Sequence, residues 1–107
     1  MEYVTVADWP GGTLPIFEEE HAQLARRGGD PDGLLARYVG EVGQGLRTVF
    51  VWASQTDAEK FFAALPEAAA RRLAPASGGV PSVTALTSAN SYVSLRLTAT
   101  PIADNES

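Results

Sequence analysis

The segment Leu46–Ala53, LRTVFVWA, constrains the fold of this chain more than any other. It is a run of β-branched, aromatic and aliphatic residues entered through Gly43-Gln44-Gly45, and it reads as a β-strand that follows a tight hairpin. Alternation puts Leu46, Thr48, Phe50 and Trp52 on one face and Arg47, Val49, Val51 and Ala53 on the other. Both faces carry apolar side chains, whereas a sheet with one wet side shows polar residues there. This strand therefore belongs to a sheet that needs cover on two sides.

The flanking segments supply the neighbours. Leu34–Val42 follows the turn sequence Asp30-Pro31-Asp32-Gly33 and has strand composition, weakened at its end by Gly40; it is expected to pair antiparallel with 46–53. Strict alternation along it turns Leu34, Ala36 and Tyr38 toward the helices. Arg37 would then face outward, to be neutralised by Glu41 or Asp8 of a partner sheet or solvated at the rim. Tyr3–Trp9 is a first strand stopped by Pro10-Gly11-Gly12. Thr13 caps a helix running from about Leu14 to Arg27, with Pro15 in its first turn and Phe17, His21 and Leu24 along one face. Glu18, Glu19 and Glu20 toward its start and Arg26 and Arg27 at its end complement the helix dipole, and Gly28-Gly29 closes it.

Ser54 or Thr56 caps a second helix with Asp57 and Glu59 in its first turn. Its stripe of Phe61, Phe62, Leu65, Ala69 and Leu73 is interrupted by Pro66, where a kink or a restart is expected. After the loop at 75–81, alternating apolar residues at Val83 and Ala85, and later at Val93, Leu95 and Leu97, predict a fourth strand and a fifth. The order β-α-β-β-α-β is that of the ferredoxin-like α+β sandwich, an antiparallel sheet with its helices on one face. A second copy of the same sheet, related by a two-fold axis, is the simplest cover for the open apolar face, so a homodimer is expected. With 107 residues, one domain over 1–98 and a polar tail over 99–107 account for the chain.

Composition removes several classes of function. A formal charge of −5 disfavours nucleic acid and anionic membranes as partners, because both need clustered Lys and Arg. The chain has no cysteine, which excludes disulfides, thiolate metal sites and Cys nucleophiles. No segment approaches the roughly 20 apolar residues of a membrane span, and the N-terminus lacks a basic region followed by an apolar one, so a cytoplasmic protein is expected. The Gly-Gly pairs at 11–12, 28–29 and 78–79 lack the strand–loop–helix spacing of a phosphate cradle and read as turns.

Three stretches, WPGGT (9–13), DGLLARYVG (32–40) and RTVFVWASQTDAEKFF (47–62), together resemble the dimeric α+β barrel superfamily, and within it the antibiotic biosynthesis monooxygenase-like proteins. The resemblance covers roughly residues 2 to 97. It implies a dimer whose sheets meet as a barrel, with a ligand pocket in each subunit between sheet and helices. Relatives of this kind include cofactor-independent oxygenases of polycyclic aromatics, haem-degrading enzymes and lactone isomerases. In the oxygenases the strand-three Trp lines the pocket, a role that falls by position on Trp52. An Asn four residues before it acts in some of them, and here that position is Thr48, a departure that weakens the oxygenase reading.

His21 is the only histidine, and imidazole titrates near neutrality, which suits a general acid or base. The alternative is a histidine at the edge of the core with its ring nitrogens satisfied by backbone or water. A metal role has no support without an ordered carboxylate partner. The expected substrate-binding set is Trp52, Phe17, Tyr38, Thr48, Phe50 and Phe62, an aromatic wall with few polar groups that suits a flat apolar ligand. Asn90, Tyr92 and Arg96 are further candidates for polar contacts with a ligand or the partner subunit. The functional expectation is a small enzyme of the monooxygenase, isomerase or cyclase type, needing no cofactor and acting on an apolar aromatic or polyketide-like molecule. The other expectation is a non-catalytic binding or assembly subunit of the same fold. Open space beside Trp52 and His21 would favour the first, and a packed interior the second.

Overall fold

The computed structural model describes residues 2–89. Within them the elements are β1 (Glu2–Pro10), α1 (Leu14–Arg26), β2 (Leu34–Val42), β3 (Gly45–Trp52), α2 (Gln55–Ala64), α3 (Glu67–Leu73), a short 3-10 turn (Pro75–Ser77) and β4 (Ser82–Ala89). The strands form one sheet in the order β2-β3-β1-β4, every neighbouring pair antiparallel, which is the ferredoxin-like arrangement expected from the element order. The expected fifth strand, the tail over 99–107 and the candidates Asn90, Tyr92 and Arg96 lie outside the described residues.

Each helix begins where its sequence says it should. Thr13 caps α1, its hydroxyl accepting from the Ile16 amide, and the Glu41 carboxylate on β2 accepts from the Leu14 amide. Ser54 caps α2 by accepting from the Asp57 amide. Pro66 produces a restart: α2 ends at Ala64 and α3 begins at Glu67. Glu18, Glu19 and Glu20 lie beyond the first turn of α1, so dipole compensation does not explain them. Glu19 and Glu20 instead bind the Arg72 guanidinium of α3 and tie the two helices together. The Glu19 carboxylate first, and Glu20 with it, raises Arg72 above its ordinary pKa.

Two glycines are required by their surroundings. A Cβ on Gly12 would lie 2.3 Å from the Leu73 carbonyl oxygen, so the chain passes α3 only with glycine there. Gly33, at φ +80°, would place a Cβ 2.1 Å from an Asp57 carboxylate oxygen.

The register corrects one expectation about β2. A bulge lies between Leu34 and Ala36, leaving Leu35 between them. One extra residue reverses the alternation beyond it. Arg37 and Val39 therefore pair with Phe50 and Thr48 on the helix side, while Ala36 and Tyr38 pair with Val51 and Val49 on the open side. Tyr38, expected inward, is 65% exposed on the open face, and Arg37, expected outward, lies beneath the helices. The carboxylates considered for Arg37 are engaged elsewhere in the chain, Asp8 with Arg47 and Glu41 with the start of α1.

The core lies between the helices and the inward faces of β1 and β3. One cluster gathers Ala7, Trp9, Leu46, Leu73 and Ala74; the other gathers Phe50, Trp52 and Ala58. The open face carries Val4, Val6, Val49, Val51, Tyr38 and Leu86.

Candidate functional site

Both tryptophans, Trp52 that was expected to line the pocket and Trp9 of the first strand, are committed to the core. Trp9 on β1 donates its indole N–H to the Thr48 hydroxyl on β3 at 3.0 Å, and Trp52 on β3 donates to the Thr5 hydroxyl on β1 at 3.0 Å. The register explains the exchange: Trp9 pairs with Leu46 and Trp52 with Tyr3, so each indole reaches one step diagonally to the threonine on the neighbouring strand. A buried indole N–H needs such an acceptor. Trp52 is 0% exposed, and its rings pack against Phe50 and Phe61 at centroid distances of 5.8 and 5.4 Å. Neither Trp52 nor Thr48 borders open space beside His21, so the pocket-lining role expected for them is not what the geometry provides.

The open space lies toward β2. A cleft of about 110 Å³ sits under α1, between its inner face, the β2–β3 edge of the sheet and the α2–α3 junction. Phe17, His21 and Leu24 descend from α1, Leu34 and Arg37 rise from β2, and Phe50 and Phe61 form the floor and far wall. His21 is stacked on Phe17, ring centroids 6.0 Å apart and planes within 8°. Arg37 is 21% exposed at its side chain, and its Nη2 donates to Asp30, at 54% exposure, over 2.6 Å. Glu20 borders the cleft with its carboxylate bound to Arg72, and Gln23 and Arg27 stand at the same border.

The expected site residues thus separate into groups. His21, Phe17 and Phe50 come together in the cleft; Trp52 and Thr48 lie in the packed interior; Tyr38 is on the opposite face of the sheet. Phe62 borders a different groove of about 580 Å³, bounded by α2, α3, β1 and β4. That groove carries Glu59 and Glu67 and no imidazole, and it borders β4, the last described element. Arg37 is the cleft residue that alternation misplaced. Leucine pairs are common in strands, and nothing in Gly33-Leu34-Leu35-Ala36 marks the bulge that turns Arg37 inward. Among the described residues no group of three or more His, Asp or Glu side chains converges as metal ligands. No helix among them is long and apolar enough to cross a membrane.

Fold and cleft together define a ferredoxin-like α+β domain with a small aromatic cleft under its first helix. No family model and no curated protein matches the chain. Among solved structures it is similar to a monooxygenase from the gene ActVA-Orf6 of Streptomyces coelicolor, crystallised in complex with nanaomycin D. The identity is 21%, the match covers 86% of this chain and 91% of that one, and the TM-score is 0.49. At that level the likeness says nothing of a shared reaction.

Proposed function

We propose that this chain is a small enzyme that binds an apolar aromatic or polyketide-like molecule in the cleft under α1 and works without a bound cofactor, with His21 moving a proton. The observation that carries this reading is the placement of the only histidine in the wall of an aromatic cleft that Arg37 also borders. Neutral imidazole takes a proton from an acidic O–H or C–H of the ligand and returns it at another atom, the step an isomerisation or cyclisation needs. With Trp52 and Thr48 both held in the core, oxygenation through that pair has no support in this chain. At about 110 Å³ the cleft is smaller than the cavity of about 150 Å³ that holds benzene in an engineered protein, and smaller than typical ligand pockets. Because it is open on one side, it takes one ring with part of that ring standing at its mouth, or one end of a larger molecule.

The working form in this proposal is a homodimer in the cytoplasm, a second copy covering Val4, Val6, Val49 and Val51 on the open face. Sedimentation of the wild type as a dimer and of Val49→Lys as a folded monomer is the expected outcome, and a monomeric wild type at micromolar concentration would overturn it.

The test of the enzymatic reading is a panel of phenols, hydroquinones and aryl β-ketones, followed by ultraviolet spectra and oxygen uptake with wild type and His21→Ala. The expected result is turnover that falls by about 10²–10⁴ in the variant, the usual contribution of general acid–base catalysis. Equal turnover would remove His21 from the mechanism. The close packing around Trp52 favours a second reading, a non-catalytic binding or assembly subunit, and binding without turnover across the panel would establish it.

A further inference from the structure

The charges around the cleft do not follow those of the whole chain. The protein carries a formal charge of −5, yet Arg27 and Arg37 both border this cleft. Its one bordering carboxylate, Glu20, is engaged by Arg72 from α3. Arg37 is held under the helices by the β2 register, opposite Phe50, and its partner Asp30 comes from the exposed loop after α1 rather than from the cleft wall. A guanidinium offers five N–H donors in a planar fork that fits a carboxylate through two parallel hydrogen bonds. The contact with Asp30 runs through Nη2 alone. An exposed pair of this kind contributes little to stability and is readily rearranged.

We propose that the cleft selects a planar acid, an aromatic ring bearing a carboxylate, with the ring against Phe17, Phe50 and Phe61 and the acid group on Arg37. The inference rests on the cleft under α1 being the binding site and adds the ionic class of what it takes. Asp30 occupies Arg37 when the ligand is absent and competes with the ligand acid when it is present. Arg37 is thus a specificity-determining residue and Asp30 its internal competitor.

The probes are benzoate and benzamide, which share a planar ring and differ in charge, titrated by calorimetry and by amide NMR shifts at low ionic strength. Wild type is expected to bind benzoate about tenfold more tightly than benzamide, a difference of about 1.4 kcal/mol. Arg37→Gln should bring the ratio near one, chiefly by weakening benzoate. Asp30→Asn should strengthen benzoate binding severalfold, because a competing carboxylate has been removed. Arg71→Gln, the same change of charge at an exposed α3 site, should leave the ratio as in wild type. Asp30 lies in an exposed loop, so its variant gives a reading even if Arg37→Gln fails to fold. Equal affinities in wild type, a ratio unmoved by Arg37→Gln, or weaker benzoate binding in Asp30→Asn would overturn the acid preference while benzamide binding kept the cleft as the site. If neither probe binds at millimolar concentration, the acid preference and the cleft reading fall together.

Discussion

Two aromatic regions lie side by side under the helices, and they are built differently. Around Trp9 and Trp52, on the central strands β1 and β3, each indole N–H has a threonine acceptor and the rings are enclosed. Around Phe17, His21 and Arg37, over β2, the edge strand among the described residues, a cleft remains and the polar groups face it. Position in the sheet accounts for the contrast. A central strand has partners on both sides and helices above, so its inward side chains must interdigitate to native density. Over an edge strand the helix layer can stand away from the sheet, and side chains there can reach solvent or a ligand. The packed middle holds the fold, and the loose edge is where binding is affordable.

Removing Trp52 tests that contrast most severely. Trp52→Ala should cost about 3–5 kcal/mol of stability, the range for deleting a large buried aromatic side chain. Chemical denaturation measures it. The comparison sharpens if ligand affinity at the cleft is unchanged in whatever fraction remains folded. It breaks if stability hardly falls and affinity collapses, since Trp52 would then belong to the site.

The threonines probe the same region more gently. Thr5→Val and Thr48→Val keep the shape of the side chain but leave an indole N–H buried without an acceptor, at about 1–3 kcal/mol each. The losses should be similar in the two variants because the two contacts are equivalent in length and burial. A near-zero cost at Thr48 would mean that Trp9 finds water, and that the packed region is more open than its geometry indicates.

The architecture was legible in the sequence because each element carried its own signals. The Thr13 and Ser54 caps, the Pro66 break and the Gly43-Gln44 turn are local features, read within a few residues. The site was legible only in part. His21, Phe17 and Leu24 share a helical face by spacing alone, and they do border one cleft. Phe50 follows from alternation along β3. Arg37 was hidden by the bulge at Leu35, which depends on the pairing of β2 with β3 and leaves no mark in composition. Trp52 and Thr48 illustrate the other failure. Alternation placed them correctly on one face with Leu46 and Phe50, but whether that face is open or filled depends on where α2 and its Phe61 come to rest. Facing and lining are different properties, and only the first is periodic.

The smallest effect concerns the open face, where Asp8 on β1 meets Arg47 on β3 directly across the ladder, with hydrogen bonds of 2.6 and 3.2 Å. The hydrogen bond from Arg47 holds the Asp8 carboxyl below its ordinary value of 3.8, outweighing slight desolvation in the other direction. A carboxyl whose pKa is lowered by folding stabilises the folded state above its unfolded pKa, and that stabilisation is lost as pH falls through the folded value. The stability difference between wild type and Asp8→Asn should therefore be constant near neutral pH and shrink once the pH drops below about 4. Because the pair is exposed, the difference should be small and should diminish in high salt. Denaturation midpoints of the two proteins between pH 7 and pH 3 would show it, and a difference that grew toward low pH would contradict the ion pair. The same series separates the two faces of the sheet. If a second copy covers the open face, the Asp8–Arg47 pair lies near that interface, and its pH and salt dependence should differ between the dimer and the Val49→Lys monomer. The His21 cleft, on the opposite side of the sheet, should keep its benzoate preference in both.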